Sequence, residues 1–321
     1  MTMSSQPAPS QNEKSAGAFG GVIPPLITPL TPTGALDTGS LRAVIERMID
    51  AGVHGVFALG STGEVAFFED AMREEILTSV VEIVAGRVPI FAGVIDMQTR
   101  RVVEHIRRAE EAGVDALVAT APFYAITGPQ EVEHHFRALR DSTALALFAY
   151  DIPVCVHTKL APDLLVRLGT EHIITGVKDS SGDDVSFRRL VAMNQANGNP
   201  LAVFTGHEVV VDGAFLAGAD GCVPGLGNVD PAGYVRLYEA YRRGDWQAMR
   251  SEQDRIAALF EIVFAPVGKT GPAAGVGAFK TALQLMGLIA ANTMSSPMTA
   301  LDGENVERIR QILQRQEMLP S

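Results

Sequence analysis

Short apolar runs alternate with longer amphipathic stretches along most of the chain. Eight of these runs are candidate strands: residues 21–28, 55–60, 89–94, 116–121, 144–150, 173–178, 201–206 and 221–226. Nearly all are continuously apolar, which is typical of parallel strands covered on both faces. The segments between them have helical periodicity, and residues 41–52 and 100–113 both end in glycine, a common helix terminator. The pattern therefore predicts an α/β fold built from repeated strand–helix units.

A weak internal repeat supports this interpretation. The connectors AGVHGVF (51–57), AGVDALV (112–118) and AGADGCV (217–223) each join the end of a helix to the start of a strand. Eight strands with intervening helices predict a (β/α)₈ TIM barrel. The alternative is a doubly wound open sheet, which usually has fewer strands and a glycine-rich turn after the first strand. Residues 29–37, PLTPTGALD, do not resemble such a turn.

The same pattern divides the chain into three parts. Residues 1–18 are polar, rich in Ser and Pro, and lack the apolar core of a signal peptide, so they predict a disordered tail. We assign residues 19–240 to the barrel and residues 241–321 to a C-terminal helical extension. Helical patterning after the eighth strand covers residues 231–264, 277–288 and 305–315. One of these helices completes the barrel.

Composition excludes several classes of function. The chain has 321 residues, 47% hydrophobic and 20% charged, with a net charge of −11. That acidity and the absence of a Lys/Arg cluster disfavour nucleic acid binding, and no apolar run reaches membrane-spanning length. Two cysteines do not make a disulfide framework, which indicates a cytoplasmic setting. The histidines lack zinc-like spacing, and the glycines of residues 271–279 follow no strand. We expect neither a metal nor a cofactor.

A lysine ends the sixth predicted strand, in the motif GVKDSSGD (176–183). A buried ammonium costs several kcal/mol unless it is paired or loses its proton. Lys178 is therefore either a surface lysine whose stem lies on apolar neighbours or an amine nucleophile. Catalytic groups of barrel enzymes come from the carboxyl ends of strands, and this position favours the nucleophile.

Two further motifs lie at the same predicted rim. GSTGE (60–64) follows the second strand, where its backbone N–H groups and hydroxyls suit a substrate carboxylate or, alternatively, cap a helix. Tyr150 ends the fifth strand and Tyr124 follows the fourth. Such tyrosines are either packed aromatics or proton carriers.

These motifs carry a family resemblance. GSTGE, APFY, YDIP, GVKDSSG, TGHE and SPMTAL occur in the order and at the spacing seen in the dihydrodipicolinate synthase/N-acetylneuraminate lyase family, over roughly residues 20–318. The resemblance implies a (β/α)₈ barrel with a C-terminal helical extension, usually assembled as a homotetramer. It also implies a lysine Schiff base with pyruvate or another 2-oxo acid, and an aldehyde as the second partner.

The resemblance implies a catalytic role for four residues. Lys178 matches the lysine that forms the Schiff base. Tyr150 matches the tyrosine that shuttles protons above the imine, and Ser61 matches the hydroxyl that relays to it. Tyr124 matches the tyrosine that completes this relay across a dimer interface.

The resemblance also implies a set of substrate-binding residues. Thr62, with its backbone, matches the holder of the substrate carboxylate, and Gly60 belongs to the same turn. Gly206 and Val223 fall where the family places backbone groups near the lysine and the bound keto acid.

The second-substrate half of the site departs from the synthase. Where dihydrodipicolinate synthase has an arginine that recognises the carboxylate of aspartate semialdehyde, this chain has Cys155. A cysteine offers no fork for a carboxylate. The turn GVIDMQT (93–99) also differs from the synthase. Four polar residues are candidates either to line a pocket for a hydroxylated substrate or to serve structure alone: Asp96, Asp151, His157 and His207.

Three functions follow as hypotheses. The first is a Schiff-base class I lyase that cleaves, forms or dehydrates a 2-keto-3-deoxy sugar acid or related 2-oxo acid. The second is 4-hydroxy-tetrahydrodipicolinate synthase, which condenses pyruvate with aspartate semialdehyde. The third, of another class, is a barrel that binds a 2-oxo acid without turnover.

Overall fold

The structure, a computed structural model, describes residues 16–320 and contains eight short strands within that range. The strands are β1 (Gly21–Val22), β2 (Val56–Ala58), β3 (Ile90–Gly93), β4 (Ala116–Thr120), β5 (Ala146–Asp151), β6 (Gly176–Asp179), β7 (Ala202–Thr205) and β8 (Gly221–Cys222). Residues 1–15 of the predicted tail lie outside the described residues, and Ala16–Ala18 form a short 3₁₀ helix.

The strands form a parallel barrel. They pair in the order β1-β8-β7-β6-β5-β4-β3-β2. Residues just beyond β1 close the remaining seam, because Leu26 N donates to Phe57 O (2.8 Å) and Phe57 N donates to Pro24 O (3.0 Å). The predicted (β/α)₈ barrel is confirmed, and the open-sheet alternative is wrong.

β1 and β8 are shorter than the apolar runs that predict them. The runs cover residues 21–28 and 221–226, whereas each strand has two residues. Pro24 and Pro25 follow β1, and Pro224 follows β8. Proline has no N–H to donate, so the regular strand ladder ends there and only single hydrogen bonds, such as that of Leu26 N, continue along the buried chain.

Helices surround the barrel and extend it at the C-terminus. In residues 16–320 they are α1 (Thr38–Asp50), α2 (Asp70–Val84), α3 (Thr99–Ala112), α4 (Pro129–Asp141), α5 (Pro153–Val156), α6 (Pro162–Thr170), α7 (Asp184–Ala196), α8 (Val211–Ala217), α9 (Pro231–Arg243), α10 (Trp246–Phe260), α11 (Pro272–Leu285) and α12 (Gly303–Arg315). The predicted domain boundary at residue 240 falls inside α9.

The helical stretch predicted over residues 231–264 is divided between α9 and α10. Gly244 adopts a left-handed conformation (φ 70°), which ends α9. The Asp245 side chain then accepts a hydrogen bond from Ala248 N and caps α10. This glycine–aspartate pair is a normal helix stop followed by a helix start.

Aromatic rings fill the barrel interior. Phe91, Phe148 and Phe204 come from the alternate strands β3, β5 and β7, with ring centroids 5.1 Å and 5.9 Å apart in edge-to-face contacts. Phe19 packs against this layer, with its centroid 5.2 Å from that of Phe148. Layers of side chains from alternate strands are the usual core of this fold.

Gly176 leaves room for this aromatic layer. It lies on β6, where an added Cβ would overlap the Phe148 ring and approach Ala202 O to 2.6 Å. We expect Gly176→Ala to lower the free energy of unfolding by about 1–3 kcal/mol, because the core must shift to admit a methyl group. Urea unfolding measures this change.

Gly213→Ala is the matched control. Gly213 lies exposed in α8 and nothing is within 4 Å of the position its Cβ would take. Alanine there should be neutral or stabilising by up to about 1 kcal/mol, through helix propensity. Equal stability of the two variants would contradict the packing argument.

Candidate active site

Lys178 and Tyr150 form the centre of the candidate site. They pair in register at the carboxyl ends of β6 and β5. Lys178 Nζ lies 4.0 Å from the centroid of the Tyr150 ring and 5.0 Å from that of Phe57. Both side chains are buried, Lys178 at 6% exposure. The structure therefore brings together the two residues predicted to act as nucleophile and proton carrier.

The surroundings of Lys178 inside the barrel are apolar. A narrow cavity of about 10 Å³ lies beside its stem. The residues lining it besides Lys178 are Ile23, Phe57, Phe91, Val118, Phe148, Phe204 and Val223. Among residues 16–320, no carboxylate forms an ion pair with Lys178. The inner side of the lysine is therefore enclosed by apolar side chains.

Gly206 and Val223 lie close to the lysine, as predicted. A Cβ at Gly206 would stand 3.3 Å from Lys178 Cε. Its N–H donates to Asp179 O (2.7 Å), and Val223 N donates to Thr205 O (2.8 Å). A Cβ at position 206 would also overlap Ser180 Oγ at 2.0 Å, so glycine there leaves room for the Ser180 hydroxyl beside the lysine stem.

The GSTGE segment forms a tight turn beyond β2. Gly63 N donates to Gly60 O (3.0 Å) and Glu64 N to Ser61 O (3.1 Å). Ser61 and Thr62 are half-buried. Within the described residues no hydrogen bond joins Ser61 to Tyr150, so the predicted relay between them stays a prediction.

Tyr124 is not brought to Lys178 within one chain. It lies in the loop after β4 with φ 72°, and its side chain is 88% exposed. Its neighbour Ile126 is 80% exposed. This loop projects from the barrel rim, which is where a residue donated to another subunit would have to lie.

Cys155 lies in α5, the short helix that follows β5. The residue is exposed at the rim. Surrounding protein nevertheless raises the pKa of its thiol, while the charge of Lys178 acts in the opposite direction. Cys155, which stands where the synthase has an arginine, is therefore close enough for the charge of Lys178 to act on its thiol.

The four polar candidates of the second-substrate half have separate environments. Asp96 Oδ2 lies 3.1 Å from His105 Nε2 and 3.5 Å from Arg101 Nε, in a network between helices. His207 Nδ1 lies 3.5 Å from Asp184 Oδ1. His157 is exposed at the end of α5, with φ 59°. Asp151 is fully buried and contacts Lys159. The residues thus have local partners or face solvent.

Glu208 is a half-buried acid near the lysine that the sequence did not single out. Its Oε1 accepts a hydrogen bond from Leu226 N at 2.5 Å. Burial raises the pKa of Glu208 to about 7, opposed by that hydrogen bond and by the charge of Lys178. Glu208 lies in the motif TGHE directly after His207. Nothing in the local sequence marks it as the more important of the two residues.

A buried ion pair holds the GSTGE turn against the helical extension. Glu64 Oε1 contacts Lys280 Nζ, and both side chains are wholly buried. Glu64 Oε2 accepts from Ser295 N (2.7 Å), and Lys280 donates to Thr293 O (2.7 Å). Burial lowers the pKa of Lys280, while Glu64 acts to raise it. In the sequence, this ion pair is marked by one lysine, Lys280, within the largely apolar helix α11.

Two surveys of the described residues bear on other classes of site. Residues 16–320 contain no group of three or more His, Cys, Asp or Glu side chains arranged to hold a metal ion. None of the helices in this range combines the length and apolar character needed to cross a membrane.

Comparison with known proteins identifies the family. A profile of the dihydrodipicolinate synthetase family matches residues 18–316. The chain belongs to this family. The predicted resemblance is confirmed, and so is the predicted class of enzyme, a lyase. Synthase and sugar-acid lyase both remain consistent with the match.

Individual relatives cover nearly the whole chain. A 4-hydroxy-tetrahydrodipicolinate synthase from Methanoculleus marisnigri is 30% identical over 297 residues, which are 92% of this chain and 98% of the relative. An uncharacterized DapA-like lyase from Halobacterium salinarum is 33% identical over 300 residues, 93% of this chain and 94% of the relative. The E. coli K12 prophage protein YagE, of the dihydrodipicolinic acid synthase family and solved in complex with pyruvate, matches with a TM-score of 0.88 and 26% identity over 94% of this chain and 99% of its own.

The buried Glu64–Lys280 ion pair leads to a prediction about the stability of this protein. We expect Lys280→Met to lower the free energy of unfolding by about 3–5 kcal/mol, because Glu64 then remains buried without its counter-ion. Urea unfolding of the purified protein measures the loss.

The double variant Glu64→Gln/Lys280→Met is the control, because it removes both charges. We expect it to recover most of the lost stability, since paired deletion of a buried ion pair is often nearly neutral. A double variant as unstable as Lys280→Met would contradict the charge argument and indicate packing alone.

Proposed function

We propose that this lyase binds a 2-oxo acid as an iminium on Lys178 and breaks or forms the adjacent carbon–carbon bond. The observation that carries the proposal is the burial of the Lys178 amine 4.0 Å from the Tyr150 ring, at the carboxyl end of a barrel strand. Active sites of barrel enzymes lie at that end. An amine at the end of an apolar pocket is suited to attack a carbonyl.

The chemistry in the cleavage direction uses few groups. The neutral amine of Lys178 adds to the C2 ketone, and loss of water gives the iminium. Tyr150 carries away the proton of the C4 hydroxyl, the C3–C4 bond breaks, and its electron pair forms the enamine while an aldehyde leaves. A proton then returns to C3, and hydrolysis releases pyruvate and the free lysine.

The remaining predicted residues support these steps. In this proposal Ser61 relays protons to Tyr150, and Tyr124 of a second subunit completes the relay. Thr62, with the backbone of the turn from Gly60, holds the substrate carboxylate. Backbone groups of Gly206 and Val223 border the bound keto acid, next to the lysine.

Cys155 is the residue on which our proposal for the substrate class rests. In sequence it occupies the position of the synthase arginine, and the charge of Lys178 acts on its thiol. Without an arginine fork there, a second carboxylate has no bidentate partner. We therefore propose a 2-keto-3-deoxy sugar acid, whose leaving aldehyde is hydroxylated and uncharged near the reacting bond.

Two alternatives remain. Relatives named 4-hydroxy-tetrahydrodipicolinate synthase, at 30–32% identity, favour condensation of pyruvate with aspartate semialdehyde. A barrel that only binds a 2-oxo acid is the weaker alternative, because simple binding gives no reason to place Tyr150 over the amine.

Assembly and location follow by analogy with the family. We propose a homotetramer by that analogy, while the exposed loop of Tyr124 itself calls only for one second subunit to complete a relay. We propose a cytoplasmic location, because Cys155 and Cys222, the two cysteines of the chain, are free.

The experiment compares two reactions on one enzyme preparation. Pyruvate release is measured from a panel of 2-keto-3-deoxy sugar acids, and condensation with aspartate semialdehyde is measured with a coupled reductase. We expect pyruvate release to dominate, and Lys178→Arg to lower it by about a thousandfold or more, because a guanidinium is not a nucleophile at neutral pH.

Lys269→Arg is the matched control. Lys269 contacts Thr299 in the helical extension and has no part in the proposed site. The Lys269→Arg enzyme should therefore be as active as the wild type. Dominant condensation would favour the synthase. Full activity of Lys178→Arg would overturn the mechanism.

A further inference from the structure

Lys159 contacts both catalytic strands although it belongs to neither. It lies between α5 and α6. Its Nζ contacts Asp151 Oδ2 and lies 3.7 Å from Asp179 Oδ2. Asp151 directly follows Tyr150 on β5, and Asp179 directly follows Lys178 on β6. One ammonium therefore bridges the two residues that come after the proposed proton carrier and nucleophile.

The two carboxylates depend on this ammonium for neutralisation. The Asp151 side chain is fully buried and that of Asp179 is 3% exposed, whereas Lys159 is 31% exposed. Asp151 Oδ1 accepts from Leu160 N (3.0 Å), and Asp179 Oδ1 accepts from Ser181 N (2.8 Å). Asp179 Oδ2 has no hydrogen bond among the described residues. An uncompensated buried carboxylate costs several kcal/mol.

The same two residues hold the backbone at the rim. Asp151 and Asp179 pair in register, directly beyond the pair of Tyr150 and Lys178. Ser180 N donates to Asp151 O (2.8 Å), and Gly206 N donates to Asp179 O (2.7 Å). A shift of either aspartate is therefore passed to the neighbouring catalytic residue and to the glycine beside the lysine stem.

Other charged groups near this cluster are few. Asp179 also faces a cavity of about 210 Å³, whose charged or titratable lining residues are Asp183, Asp184, Arg188 and His207. Among residues 16–320, the charged groups that act on Asp151 are Lys159 and Asp179. Burial raises the pKa of Asp151 to about 6, and the Asp179 charge adds to this effect, whereas Lys159 opposes it.

We propose that Lys159 is a positioning residue of this lyase, which neutralises Asp151 and Asp179 together and so holds the ends of β5 and β6 in the register that places Tyr150 over Lys178. Lys159 does not touch the substrate in this scheme. The inference rests on the proposed roles of Lys178 and Tyr150.

The test uses a reaction that needs pyruvate alone. An enzyme that forms the iminium and its enamine exchanges the methyl protons of pyruvate with D₂O, which NMR follows directly. Removing Lys159 raises the pKa of Asp151 further. The negative charge of Asp151, the second in this buried cluster, then appears only as the pH rises. We expect Lys159→Met to slow exchange by about tenfold near pH 8.5 and by less than about threefold near pH 6.

Neutralising both partners should restore the rate. We expect the triple variant Asp151→Asn/Asp179→Asn/Lys159→Met to exchange within about threefold of wild type across the range, because neither buried carboxylate then carries a charge. Lys269→Met is the control for the substitution itself. Thermal melting of each variant separates lost protein from a lower rate per folded molecule.

The outcomes separate this inference from the proposed function. No exchange by the wild type would overturn both. Wild-type exchange with an unchanged Lys159→Met rate would overturn the positioning role alone. So would a loss that is equal at all pH values, which indicates general destabilisation, or a loss that persists in the triple variant, which indicates direct substrate contact.

Discussion

The register between β5 and β6 is the constraint on which the site depends. Side chains alternate between the two faces of a strand, so one pairing sends Tyr150 and Lys178 into the barrel and the next sends Asp151 and Asp179 toward the helices. A slip of one residue would exchange the two sets. The catalytic pair and the charged pair behind it are thus two consequences of the same alignment.

The aromatic layer supports that alignment from below. Phe148 lies two residues before Tyr150, and Gly176 lies two residues before Lys178, so both face the interior. Because Gly176 has no side chain, the Phe148 ring occupies the space beneath the lysine. The lysine therefore rests on a packed layer of apolar side chains.

Much of the barrel was predictable, because parallel strands covered on both faces are continuous apolar runs. Lys178 was predictable for the same reason, since it interrupts such a run at the rim. The lengths of β1 and β8 were not predictable, because prolines end the regular hydrogen-bond ladder while the chain stays buried. Lys280, Lys159 and Glu208 acquire their meaning from partners distant in sequence, such as Glu64 for Lys280. Local pattern contains no information about such contacts, and Asp151 is an example: its sequence position suggests a pocket, while its contacts are with Lys159.

The central claim is that Lys178 forms an iminium with a 2-oxo acid. The most direct measurement is the intact-protein mass after incubation with pyruvate and borohydride, for wild type and for Lys178→Ala. The account predicts one reduced pyruvyl adduct on the wild type and none on the variant. An adduct of equal yield on both proteins, or none on either, would contradict it.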